Sequence, residues 1–145
     1  MASLLELNVK DAPKLVAVSE GEYQLQIGKA EIKKSKNSNR DTFYLFFNIP
    51  AELTSKSVRH TFGLELEDGL PQKDIDDASR RLGDFLRAFS IEQIPLNNAY
   101  QEFLRNPSVA KAVPEYTGAL GYGMLTIEEF EGRENNKVKY FITGA

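Results

Sequence analysis

Five cations fall between Lys29 and Arg40, namely Lys29, Lys33, Lys34, Lys36 and Arg40, with Glu31 the one acid among them. Four aromatic rings follow at once, at Phe43, Tyr44, Phe46 and Phe47. Cations attract phosphate, and the face of an aromatic ring stacks on an unpaired base whatever its identity. Basic and aromatic residues so closely interleaved point to single-stranded nucleic acid as the chemistry to look for.

The surrounding pattern predicts how these side chains are held. Tyr23, Leu25 and Ile27 alternate with Glu22, Gln24 and Gln26, the period of two of a half-buried strand. After Gly28 the apolar parity changes to Ala30 and Ile32, so a bulge or bend is predicted at that glycine. Ser35 to Asp41 is rich in Asn, Ser and Lys and reads as a hairpin loop. The second strand, 42–49, is apolar on both faces. Phe43, Leu45, Phe47 and Ile49 share one side; Thr42, Tyr44, Phe46 and Asn48 share the other. A third strand is predicted from Ser57 to Glu65.

From Pro71 the spacing turns helical, with Ile75, Ala78, Leu82, Phe85, Leu86 and Phe89 at intervals of three and four. A second helix is predicted from Asn97, carrying Tyr100, Phe103 and Leu104 and ended by Asn106-Pro107, with a short turn over 108–116. Two last strands follow, Ala119 to Phe130 and Val138 to Thr143, joined by the polar turn Glu131 to Asn136. Residues 1–20 read as an N-terminal arm with a short strand from Leu4 to Val9. Residues 21–145 read as a single domain with a helical insertion at about 71–116. Three strands, one or two helices and two strands is the order of an OB-fold, a mainly β, five-stranded, partly open barrel.

Composition limits the rest. At 145 residues, 41% hydrophobic and 27% charged, the chain can bury a real core. It has no apolar run near the roughly 20 residues of a membrane helix. Without cysteine there is neither a disulfide framework nor a thiolate metal site. Net charge is −3, opposite in sign to most nucleic-acid binders, so the distribution matters more than the total. Residues 65–92 hold eight acids against four bases, the reverse of 29–40.

Three stretches resemble a family of phage-encoded single-stranded DNA-binding proteins with an OB-fold. They are GEYQLQIGKAEIKKSKNSNRDTFYLFFNI at 21–49, RLGDFLRAFSI at 81–91 and GRENNKVKYF at 132–141. Their order and spacing carry the match. The resemblance implies sequence-tolerant coating of single-stranded DNA during replication or recombination, in the host-cell cytoplasm, with replication or recombination proteins as further partners. Many members of that family carry a flexible acidic tail. This sequence ends in Phe141-Ile142-Thr143-Gly144-Ala145, directly after the last predicted strand, and shows none.

Candidate site residues follow from both lines. If Leu45 and Ile49 face the interior, Tyr44 and Phe46 face outward, where OB-folds stack bases; inverted parity would nominate Phe43 and Phe47. Lys33, Lys34, Lys36 and Arg40 are phosphate candidates in the loop between the first two strands. Arg59, Tyr122 and Lys139 lie on strands that could reach the same groove. Gly118, Gly121 and Gly123 form no phosphate loop, since no Gly-Lys-Ser/Thr follows; close backbone approach in a strand explains them. His60, the only histidine, reads as a partly buried strand residue. Asp74, Asp76 and Asp77 suit the first turns of a helix without any metal. No catalytic constellation emerges, and neither enzyme activity, metal nor cofactor is expected. A homodimer is compatible with so small a groove. The competing reading is an OB-fold interaction module for protein or oligosaccharide, which the net acidity favours.

Overall fold

A computed structural model describes residues 3–143 of the chain. It is mainly β, a curled antiparallel sheet with two helices in one long connection. The strands are β1 (Gly21–Lys34), β2 (Asp41–Asn48), β3 (Val58–Gly63), β4 (Lys111–Ala112), β5 (Leu120–Phe130) and β6 (Arg133–Ile142). The helices are α1 (Gln72–Ala88) and α2 (Ile94–Arg105). The sheet order is β3-β2-β1-β5-β6, with the two-residue β4 pairing β1 at Glu31 and Ile32.

The long first strand is shared by both halves of the sheet, because a bulge turns it midway. Ile27 pairs Phe47 and Lys29 pairs Phe46, leaving Gly28 as the extra residue. A Cβ at Gly28 would come within 2.8 Å of the end of the exposed Asn48 side chain, which would have to swing aside. The residues before it pair β5 through Gln24 and Tyr122; those after it pair β2 through Glu31 and Tyr44.

The inward rows of the sheet carry Ile27, Ile32, Phe43, Leu45, Phe47, Val58 and Phe62, each fully or nearly fully buried. Helix α1 lays Phe85 and Phe89 against them. Their rings meet Phe43, Phe47, Phe62 and Phe141 at centroid separations of 5.3 to 6.3 Å. Gly121 makes this approach possible, since a Cβ there would lie 2.8 Å from the Phe89 ring and 2.9 Å from the Ala88 carbonyl. Tyr116 buries its ring against Phe43, and its hydroxyl accepts from the Leu96 amide at 3.2 Å, tying the connection to α2.

Several expectations are corrected. The sheet has six strands rather than five, and it is not closed into a barrel. Among the described residues no backbone pairing joins the edges β3 and β6; they face each other through His60, Phe62 and Phe141. The segment 108–116 holds β4 and a 3-10 turn at Pro114–Tyr116 rather than a simple turn. Strand β6 starts at Arg133, five residues before Val138, because Glu131 and Gly132 both take positive φ (52° and 76°) and close the hairpin in two residues. Polar residues 133–136 had resembled a loop because most of this projecting ribbon faces solvent. The arm contains no strand from Leu4 to Val9. It forms 3-10 turns at Leu4–Glu6 and Val9–Asp11, and its apolar side chains are exposed. Farther along, the arm docks: Val16 bridges Ser55, and Asn136 both accepts from the Val18 amide (2.8 Å) and donates to its carbonyl (2.9 Å). The second helix also begins earlier than Asn97, at Ile94, with Pro95 in its first turn, where a missing N–H breaks no helix bond.

Candidate nucleic-acid interface

Antiparallel pairing sets the outer face of β1, β2 and β3 as three rows. They are Lys29–Phe46–Arg59, Glu31–Tyr44–Thr61 and Lys33–Thr42–Gly63. Tyr44 and Phe46 therefore lie on the face opposite Phe43, Leu45 and Phe47, which belong to the core. Tyr44 is nonetheless only 9% exposed. Its cover is lysine: the Lys33 ammonium lies 4.7 Å from the centre of the Tyr44 ring, and Lys29 lies 5.8 Å from that of Phe46. Glu31 stands between them, 3.5 Å from Lys29 and 3.4 Å from Lys33.

Two clefts meet on this face. One, of about 470 Å³, runs from Lys33 and Lys36 past Tyr44 to Arg59 and Thr61. The other, of about 690 Å³, continues from Arg59 and Thr61 to Phe130, Asn135 and Lys137 on the β5–β6 hairpin. Arg59 and Thr61 line both, so the two adjoin at β3 as one grooved face; Glu128 also lines the second.

The candidates from sequence divide accordingly. Lys33, Lys36, Tyr44 and Arg59 line the groove, and Phe46 adjoins it in the Arg59 row. Lys36 and Arg59 have no carboxylate within ion-pair distance among the described residues. Arg40 is exposed at the far end of the loop and pairs with Glu67. Lys34 points the other way. Its ammonium donates to Asp41 at 2.7 Å and lies 3.6 Å from Glu65, while the Tyr100 hydroxyl donates to the second Asp41 oxygen at 2.7 Å. Burial acts to raise the Asp41 carboxyl, but the hydrogen bonds from Lys34 and Tyr100 outweigh it and hold it below the ordinary value. Chiefly through its bond to Asp41, Lys34 is held above its own ordinary value. These three residues join the base of the basic loop to α2.

Tyr122, 52% exposed, sits on β5 between Gln24 and Ile142, beyond β1 from Tyr44, and lines neither cleft. Lys139 is exposed at the irregularity between Met124 and Leu125 and also lines neither. Lys137, two residues earlier, reaches the groove instead. Phe130, 69% exposed beside the hairpin turn, was likewise missed. An aromatic residue flanking a polar turn was the available signal.

His60 turns to the inner side, edge-on to Phe62 (4.7 Å) and Phe141 (5.1 Å). Burial, with Lys137 and Arg81 nearby, lowers its pKa to about 4. Among the described residues no group of three or more His, Cys, Asp or Glu is placed to hold a metal ion, and no helix is long and apolar enough to cross a membrane.

No protein-family model matches the chain, and no curated protein is significantly similar to it in sequence.

Proposed function

We propose that this protein binds single-stranded DNA without strong sequence preference, through an OB-type sheet left open at the β3–β6 seam. The observation that carries the reading is the groove across β3. Its lining sets Tyr44 beside Lys33, Lys36, Arg59 and Lys137, and the pair Lys29 and Phe46 adjoins it in the Arg59 row. Phosphates need only nearby positive charge, whereas bases need flat apolar faces, and the groove offers both along one path. The long bulged β1 pairing both β2 and β5, with a helix entering after β3, supports the OB reading. Coating of single strands in replication or recombination in the host cytoplasm, alone or as a homodimer, is the role the resemblance suggests.

The competing reading, a protein- or oligosaccharide-binding module, draws on the net charge of −3 and on the acids paired with Lys29, Lys33, Lys34 and Arg40. Fluorescence anisotropy with labelled oligo-dT and a duplex of equal length separates the two. Tight binding to the single strand, weakened by salt, is the expected result. Absence of binding at low micromolar protein favours the module.

A further inference from the structure

Glu31 is the anomaly of this face: it stands in the row between Lys29 and Lys33, beside the clefts rather than in their lining. A carboxylate in the middle of a phosphate-binding face works against binding, and this one is largely enclosed, its side chain 10% exposed against 61% for Lys29 and 40% for Lys33. Among the described residues its ion-pair partners are those two lysines alone. Each lysine in turn lies over a ring, Lys33 over Tyr44 and Lys29 over Phe46. Carboxylate, ammonium groups and rings form one connected unit, in which Tyr44 is buried and Phe46, half-buried, is shielded on the side where Lys29 lies.

We infer that Glu31 is a positioning residue that holds Lys29 and Lys33 as a removable cover over Phe46 and Tyr44, and that single-stranded DNA opens it. Phosphates draw both ammonium groups off the carboxylate, and bases take the places the lysines leave on the rings. The step exchanges ion pairs for ion pairs and ring contacts for ring contacts. The cover keeps two aromatic faces out of water while the groove is empty, and so limits stray apolar association. Its cost is affinity, because Glu31 competes with phosphate for the same two cations.

The inference rests on the single-stranded DNA reading, and its test separates the two. Binding of labelled oligo-dT is measured for the wild type, Glu31→Gln and Glu22→Gln. Glu22 is an exposed acid on the same strand, beyond the bulge, without an ion pair among the described residues. Both changes remove one negative charge. Glu31→Gln is expected to bind about three- to tenfold tighter at low salt, and Glu22→Gln within about twofold of wild type. In the wild-type protein, nuclear Overhauser contacts from the Lys33 methylenes to the Tyr44 ring should disappear as oligo-dT saturates it. This second measurement needs no variant and decides the matter if Glu31→Gln fails to fold. Contacts that persist at saturation, or equal gains in the two variants, overturn the cover while leaving the DNA reading intact. A wild type that does not bind oligo-dT removes both.

Discussion

At the scale of single residues, the groove divides its side chains by the work they would do. Tyr44 and Phe46 offer ring faces, so changing both to Ala should weaken oligo-dT binding by roughly 5- to 150-fold per ring, with little change in salt slope. Phe46 is half-buried and Tyr44 buried, but neither belongs to the main core cluster, so the circular-dichroism melt should stay cooperative. Lys36 and Arg59 offer charge. Replacing either with Ala should flatten the plot of log affinity against log salt by about 0.7. Lys34 is the internal control for this division, since its ammonium is engaged by Asp41 and Glu65. Lys34→Ala should leave the salt slope near wild type and lower the denaturation midpoint. A slope change equal to that of Lys36→Ala would return Lys34 to the groove.

At the scale of elements, α1 and the glycine strand β5 depend on each other. Gly121 lies against both a ring and a backbone carbonyl of the α1 end, and the carbonyl cannot rotate aside as a flexible side chain could. Gly121→Ala should therefore destabilise by about 1–3 kcal/mol in urea unfolding, through forced separation of α1 from the sheet. A neutral result would show that α1 shifts freely. The N-terminal arm is held differently, by the two-way bond between Asn136 and Val18. Asn136→Ala leaves the buried Val18 amide without its acceptor and should cost about 1–3 kcal/mol. Hydrogen exchange should then rise first at Val18 rather than in β2.

At the scale of the whole molecule, the unpaired seam between β3 and β6 gives stability a pH dependence. His60 sits in that seam, its pKa lowered to about 4 by burial and by Lys137 and Arg81. Above pH 6.5 it is neutral whether folded or unfolded and contributes no pH dependence. As pH falls from 6.5 toward 4, the unfolded chain takes up a proton that the folded protein refuses, so stability falls. Below about 4 both states are protonated and this component levels off. Its full size is roughly 3 kcal/mol. Urea midpoints measured across that range should decline in the wild type and less steeply in His60→Gln; parallel curves would mean the seam is open to water.

Much of this protein was legible as local periodicity. The bulge at Gly28, the division of β2 into two sides and the face of α1 that carries Phe85 and Phe89 all follow from which neighbours share a face; which side of β2 turns inward did not. A strand or helix imposes that constraint within a few residues. Pairing between distant segments was decided by the tertiary structure. Lys34 and Lys36 are two residues apart in one basic loop, yet Asp41, Glu65 and Tyr100 draw one away while the other lines the groove. Tyr122 and Lys139 had the right chemistry but lie on stretches of β5 and β6 away from the groove, whereas Phe130 and Lys137, nearer the hairpin turn on the same two strands, line it. Side-chain type and period belong to the chain by itself. Which charge meets which, and which ring is left beside a groove, depends on segments brought together only when the sheet curls.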